Sequence, residues 1–505
     1  MQAKQNMAGP GADAKMSEDF DGAFDLIIAG GTVIDGTRRA RFETDVGIVG
    51  ERIIALGNLS LRNARRRIEA GGKMVAPGFI DSHTHDDVAL LSQPLMEYKV
   101  SQGVTTVVTG NCGISLAPSR PGMPMPMPLS LLRQEHGDTA TFPRFSDYLD
   151  ALRGAPASVN VAALVGHTTL RAQTMAELNR DATRQERLVM ADLLEQALED
   201  GAFGLSTGTF YPPAAKASTE EIIEVGQPLT RFEALYATHM RNEAEGTLTS
   251  LEETFAIGRA LNIAVVISHH KLQGEANFGK SAMTLPLIRA AMKCQCVSLD
   301  CYPYTASSTM LHTDPAKLQC RVLIASSEGH PEMAGRDLSE IALQWNVSRA
   351  EAAGRLQPAA AIYFSMDEGD VRNILSFDDT MIGSDGIPSA DKPHPRLWGT
   401  FPRVLGHYSR DIGLFSLETA VWKMSGLTAR NFGLKDRGTI ALGNFADLVI
   451  FDAASVIDKA SYASPIQAAE GIDVVLVNGR VTWETGRHSG ARNGQVLTPA
   501  RSISS

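Results

Sequence analysis

Val75-Ala76-Pro77-Gly78-Phe79-Ile80-Asp81-Ser82-His83-Thr84-His85 is the stretch on which the reading of this chain turns: a short apolar run that ends in two imidazoles one residue apart. In an extended strand residues i and i+2 project from the same face, so His83 and His85 can reach a single metal ion without any further device. A His-x-His alone is weak evidence, because many solvated loops contain one. Its weight comes from Cys112, His239, His269 and Asp385, each of which stands at the end of an apolar run of its own.

Working outward, eight strands are expected at 79–81, 105–109, 159–165, 204–207, 235–238, 264–268, 297–301 and 380–384, alternating with helical text such as 184–199. Nearly all-apolar strands alternating with helices are the pattern of a parallel sheet covered by helices, and eight such units predict a closed (β/α)8 TIM-like barrel. His83 and His85 then follow strand one, Cys112 strand two, His239 strand five, His269 strand six and Asp385 strand eight. In such a barrel all those ends face one mouth. Four imidazoles, a thiol and a carboxylate would meet there, enough to hold one zinc with an open position or two metals. His167, after strand three, faces the same mouth and is a candidate for substrate contact or for support of the ligands. His136, His312, His330, His407 and His488 lack this placement.

The chain ends read differently. Short β-rich runs at 25–29, 32–34, 45–49, 52–56, 447–451 and 473–477 predict a small β-sandwich domain built from both ends, 23–73 and 440–500, around a metal-dependent barrel at 74–439. The long gap before the last barrel strand carries helical text at 338–345 and 349–356, so residues of about 309–377 read as an inserted subdomain near the mouth. The proline-rich stretch 118–128 reads as a rigid exposed loop, and residues 1–22 as a flexible start with no apolar signal core.

Composition narrows the classes of function. A net charge of −10 without a basic block excludes nucleic acid as the default partner. No segment approaches the roughly 18 uninterrupted apolar residues of a spanning helix, so no membrane partner is expected. The five cysteines lack a disulfide framework and fit a reducing, cytoplasmic setting; Cys294, Cys296 and Cys301 lack paired CxxC spacing and read as packed thiols. The expected partner is a small-molecule substrate, and the oligomeric state is left open.

The combination of APGFIDSHTH (76–85), TGNCGIS (109–115), GLSTGTFYPP (204–213), YATHMRNE (236–243), ISHHKLQG (267–274), DCYPYTASST (300–309) and GSDG (383–386) is distinctive. Bracketed by DLIIAGGTVIDG (25–36) and GNFADLVIFD (443–452), it resembles the N-acyl-D-amino acid deacylases (D-aminoacylases) of the amidohydrolase superfamily from about 25 to 483. The cysteine of TGNCGIS discriminates within that superfamily, where many relatives bridge two metals with a carboxylated lysine instead.

The resemblance implies zinc-dependent hydrolysis of the amide bond of N-acyl-D-amino acids, releasing a D-amino acid and a carboxylate. It implies that Cys112, His239 and His269 hold a tightly bound Zn2+, while His83, His85 and Asp385 flank a second, weaker site. Asp385 is the expected catalytic acid and base. Lys271, Tyr302, Ser308 and Tyr211 match positions that the family uses to line substrate. A thiolate suits the zinc role because the metal lowers the cysteine pKa and sulfur is a soft, strong donor.

The substrate's own carboxylate requires a cation, and Arg396 in HPRLWGTFPR is the best candidate, since a guanidinium can grip both oxygens. His270 is expected to pack or to support a ligand, and Arg241 and Glu243 to form a local ion pair. Two rivals are weaker. A non-catalytic scaffold would have lost its ligands, and this chain keeps all six. A cyclic-amide hydrolase of hydantoinase or dihydroorotase type should carry a lysine near strand four, where LSTGTFY (205–211) has none.

Overall fold

The computed structural model describes residues 15–16, 22–132, 141–388 and 390–500. Apart from 15–16 and 22, the expected flexible start lies outside the described residues, as does His136. Parallel strands form two sheets. One joins Phe79–Asp81, Val104–Thr109 and Asn160–Ala163. The other runs Val165–Gly166, Gly204–Gly208, Leu235–His239, Val265–Ile267, Val297–Cys301 and Thr380–Ile382.

The expected strand at 159–165 is thus split in two around Leu164, whose N–H donates to Thr109 O at 3.0 Å and links the sheets. On the far side Ser82 N–H donates to Ile382 O at 3.3 Å and Asp385 N–H donates to His83 O at 2.8 Å. Thr84 also pairs with Gly386 in a parallel bridge. Hydrogen bonds therefore pass from each parallel strand to the next all the way round.

The strands are apolar throughout because both of their faces are covered. Val107, Tyr236, Val265, Ile267 and Ile382 join the large core shared with the helices, whereas their neighbours Val108, Ala237, Val266 and Met381 join a separate interior core. This is the period-two alternation of a strand with two buried sides. Helix Arg184–Asp200 shows how the outer layer is specified. Thr183 accepts from Glu186 N–H in a capping box, Met190, Leu194, Ala197 and Leu198 form the buried stripe, and Gly201 at φ 116° ends the helix.

Both chain ends join one ten-stranded sheet. Within it Met74–Pro77 pairs antiparallel with Leu448–Phe451, and 25–29 and 32–34 merge into the single strand Phe24–Val33. Before the last parallel strand, Ser307–Met310, Ala359–Phe364 and Arg321–Ser327 form a three-stranded antiparallel sheet. It packs with helices Leu338–Trp345 and Arg349–Arg355 around a core of its own.

Two expectations need correction. Cys294 and Cys296 are exposed, because they fall in the turn before Val297–Cys301, and only Cys301 of that group is buried. The proline-rich stretch is not simply exposed, since Met123 and Met125 lie half-buried against the main core. Among the described residues no helix is long and apolar enough to cross a membrane.

The joint between the first and last parallel strands is fastened by buried charge. The fully buried Lys99 ammonium donates to Asp81 Oδ2 at 2.7 Å and to Ser384 Oγ at 3.0 Å, and it lies 3.2 Å from Asp86 Oδ2. Asp81 Oδ1 accepts from Ser384 N–H at 2.7 Å. Removing one partner of a buried charge cluster leaves the others uncompensated, at a cost of about 3–5 kcal/mol. Lys99→Met should therefore lower the unfolding free energy by that amount and the urea midpoint with it, and a variant unfolding like the wild type in urea would show that this cluster does not hold the joint.

Candidate metal centre and catalytic cavity

Local backbone explains how the ligand candidates are aimed. His239 continues the interior-facing parity of Leu235 and Ala237 along its strand. Cys112, His269 and Asp385 are presented otherwise: each has a left-handed backbone, at φ 53°, 36° and 50°. Such conformations cost non-glycine residues energy and collect at functional sites. Cys112 is brought close to its neighbours by glycine. A Cβ on Gly208 would stand 2.0 Å from Cys112 O, and one on Gly110 2.1 Å from Leu164 O.

The side chains converge. His83 Nε2 and Cys112 Sγ are 3.2 Å apart, and Cys112 Sγ and His269 Nε2 are 3.3 Å apart. Asp385 Oδ1 lies 3.6 Å from His83 Nε2 and 3.2 Å from His85 Nε2. The His239 and His269 rings stand 4.4 Å apart, centroid to centroid. Ligand atoms of His83, Cys112, His269 and Asp385 all lie within 4.8 Å of one another, and His239, Glu243 and His269 form a second such group. Zinc bonds of about 2.0–2.3 Å in a tetrahedron place ligand atoms about 3.3–3.7 Å apart, so the observed spacings fit a zinc ion. Among the described residues both nitrogens of buried His239 have no hydrogen-bond partner, which leaves its ring available to a cation.

The electrostatics agree with that use. Burial alone would raise the Cys112 pKa, but the His83 and His269 imidazoles outweigh it and hold the thiol well below its ordinary value. Burial likewise opposes ionisation of Asp385, and the Arg396 guanidinium with His269, His85 and His83 keeps its carboxyl well below the usual carboxylate range. Both shifts favour the thiolate and the carboxylate, the forms that ligate a metal. His270 behaves as a packing residue: burial lowers its pKa to about 4, and its Nε2 lies 2.9 Å from Thr284 Oγ1.

Asp385, His239, Tyr211, Lys271 and Ser308 line a cavity of about 450 Å³, together with Phe210, His312 and Lys317. Arg396 stands behind Asp385, with Nη1 2.8 Å from Oδ2, Nη2 donating to Ser308 O at 3.2 Å and Nε without an acceptor. Its guanidinium lies 4.5 Å from the Tyr302 ring centroid. His167 is placed elsewhere: it is fully buried, its Nε2 3.0 Å from Glu221 Oε1 in a cluster with Arg171, and it does not line the cavity.

The expected Arg241–Glu243 pair is replaced. Arg241 Nη2 meets Glu253 at 2.8 Å, while Glu243 turns inward to Lys271, also at 2.8 Å. Sequence reasoning passed over four residues. Glu243 touches the His269 edge. Asp300 Oδ1 accepts from His269 N–H at 2.9 Å. His312 and Lys317 reach the cavity from the segment before the last strand. For Glu243 the one local signal is its place four residues after His239; for Asp300 it is a carboxylate inside an apolar strand.

The chain matches the Amidohydrolase family over residues 66–294 and 327–483. It is 56% identical over 482 residues to a D-aminoacylase of Alcaligenes xylosoxydans xylosoxydans, covering 95% of this chain and 99% of that protein. It is 51% identical over 493 residues to an N-acyl-D-aspartate deacylase of the same organism, covering 97% and 98%. A solved D-aminoacylase structure, described as having a binuclear metal center with one-metal activation and second-metal attenuation, matches with a TM-score of 0.92 at 58% identity, covering 94% of this chain and 100% of that one. An N-acyl-D-glutamate deacylase of Bordetella bronchiseptica, complexed with zinc and a phosphonate mimic of the reaction's tetrahedral intermediate, matches with a TM-score of 0.91 at 43% identity, covering 94% and 100%. The fold is an α/β fold of amidohydrolase type.

Proposed function

The chain belongs to the N-acyl-D-amino acid deacylases of the amidohydrolase family, and from that premise we propose that it hydrolyses the amide bond of N-acyl-D-amino acids in a zinc-dependent reaction, releasing a D-amino acid and a carboxylate. The observation that carries this reading is the meeting of His83, Cys112, His269 and Asp385 at zinc-like spacing with a buried guanidinium directly behind the carboxylate. Cys112, His239 and His269 are the residues that would hold one zinc tightly, and His83, His85 and Asp385 flank a second, weaker site. Bound zinc supplies Lewis acidity, bringing the pKa of water toward neutrality and polarising an amide carbonyl.

The chain's own residues then divide the work. Asp385, ionised and 10% exposed, accepts the proton of the attacking water and returns it to the leaving nitrogen. Arg396 takes the substrate carboxylate with the donors its present contacts leave free, and in doing so loosens its grip on Asp385. Two anchors, one at the carboxylate and one at the acyl group, leave the cavity wall to select the D enantiomer. Tyr211, Ser308 and Lys271 supply that wall, with Tyr302 under the Arg396 guanidinium. The substrate is a small molecule, and no observation favours the cyclic-amide reading.

The same reading takes the ring of parallel strands as a (β/α)8 barrel at 74–439, the antiparallel sheet and helices at about 309–377 as a subdomain inserted over its mouth, and 23–73 with 440–500 as a β-sandwich. Support for the sandwich is a shared core to which Val46 and Ile53 from one chain end and Val474 and Leu476 from the other contribute.

A second observation bears on the side chain. Among the described residues Lys317 has no carboxylate within ion-pair distance; its ammonium stands 4.4 Å from the Phe210 ring centroid on the cavity wall. An unpaired cation there favours an acidic substrate side chain.

Three outcomes are expected. Cys112→Ala loses zinc and activity together, because two imidazoles cannot compete with chelators, and a purified variant with stoichiometric zinc by elemental analysis would remove the thiolate from the ligand set. Asp385→Asn lowers kcat by about 10²–10⁴-fold while the tight zinc stays; metal lost in step with rate would make Asp385 a ligand first. Lys317→Met lowers kcat/KM for N-acetyl-D-aspartate and N-acetyl-D-glutamate by roughly tenfold relative to N-acetyl-D-methionine, with zinc unchanged, and an unaltered ratio would place the side chain elsewhere. Turnover of N-acetyl-D-methionine but neither its L enantiomer nor hydantoin tests the reaction class itself.

A further inference from the structure

The two groups able to hold a cation share His269 but use opposite edges of its ring. Nε2 lies 3.3 Å from Cys112 Sγ, whereas Nδ1 lies 3.1 Å from Glu243 Oε1. A neutral imidazole has one lone-pair nitrogen, so it can offer a metal only one edge. The Lys271 ammonium decides which. It stands 2.8 Å from Glu243 Oε1 and 2.7 Å from His269 Nδ1, so a metal between those two groups would have to displace a like charge. The metal edge is therefore Nε2; with a metal there Nδ1 carries the proton, and the Lys271 ammonium, a donor 2.7 Å from what is then another donor, must shift from Nδ1 toward Glu243 and His269 O.

That proton needs an acceptor, and an ammonium, which only donates, cannot be one. Glu243 Oε1 is the acceptor within reach. We propose that Glu243 is a positioning residue of the metal centre: it accepts Nδ1–H of His269 and so fixes the tautomer that leaves the Nε2 lone pair facing Cys112. Lys271 then donates to Glu243 and to His269 O, 3.1 Å away. Glu243 is itself fixed, for it is buried and its Oε2 accepts from Gln273 Nε2 at 2.9 Å. Oε2 also lies 3.5 Å from His239 Nε2, so one carboxylate stands beside two proposed ligands.

This inference rests on the ligand set proposed above, and its test keeps the two apart. Zinc affinity is measured on the full-length protein by competition with a chromophoric chelator, for wild type, Glu243→Gln, Glu243→Asp and Lys271→Met. An amide in place of the carboxylate can present N–H to Nδ1 and favour the wrong tautomer. Glu243→Gln should therefore bind zinc about 10–100-fold more weakly, with its activity recovering at saturating zinc. Glu243→Asp, which keeps the charge on a shorter arm, should regain part of the affinity. Lys271→Met should hold zinc at least as tightly as wild type while its KM rises. Wild-type affinity in Glu243→Gln, or an equal loss in Lys271→Met, would overturn the proposal and leave the two residues an ordinary ion pair. A wild-type protein that binds no zinc would instead sink the ligand set itself.

Discussion

Everything in this molecule that resembles chemistry depends on the joint between its first and last parallel strands. Asp81 and Ser384 are 303 residues apart in sequence, yet they share a hydrogen bond of 2.7 Å and a common partner in Lys99. The same joint sets Asp385 N–H on His83 O, so the candidate catalytic carboxylate is tied by its own backbone to the first imidazole. A small slip there would move His83, His85 and Asp385 relative to Cys112 and His269 by more than a metal site tolerates. That is reason enough for a buried lysine where an apolar contact would be cheaper to fold.

Position is then refined by strain. Of the non-glycine residues described with positive φ, three are Cys112, His269 and Asp385. A left-handed residue ends a strand abruptly and redirects its side chain, which is how ligands from three strand ends reach one point despite different distances along their strands. The cost of about 1–3 kcal/mol each is sustained because close-packed neighbours leave the backbone no alternative. At Cys112 those neighbours are the glycines of its own turn and of the strand Gly204–Gly208.

Much of this was legible in the sequence, and for a stated reason. Apolar runs that end abruptly in a polar residue announce both a strand and its end, so the parallel strands and the helix at Arg184–Asp200 were found where they lie. The inserted helices were equally plain, at Leu338–Trp345 and Arg349–Arg355. What escaped were groups defined by a partner rather than by their neighbours. Glu243 looked like the mate of Arg241 because they are two residues apart, but on a turn leaving a strand they point to opposite sides, and Arg241 finds Glu253 instead. His167 was read as facing the mouth from its strand alone; the helix His167–Thr174 that begins with it turns it toward Glu221. Lys99 and Lys317 carry no motif at all, and Asp300 opens DCYPYTASST without any local sign of its contact with His269.

The distribution of charge explains why an acidic protein can serve an anionic substrate. The net charge of −10 belongs to the chain as a whole, while in and beside the cavity Arg396, Lys271 and Lys317 converge. They differ in how firmly they are held. Lys271 is committed to Glu243 and His269, Arg396 is half committed to Asp385 with donors to spare, and Lys317 rests on the face of Phe210 with no ion-pair partner among the described residues. A cation fixed by protein partners organises the metal edge, and one with free donors is available to a ligand. The order from Lys271 to Lys317 therefore runs from architecture to recognition, and an incoming N-acyl amino acid would meet the least committed cations first.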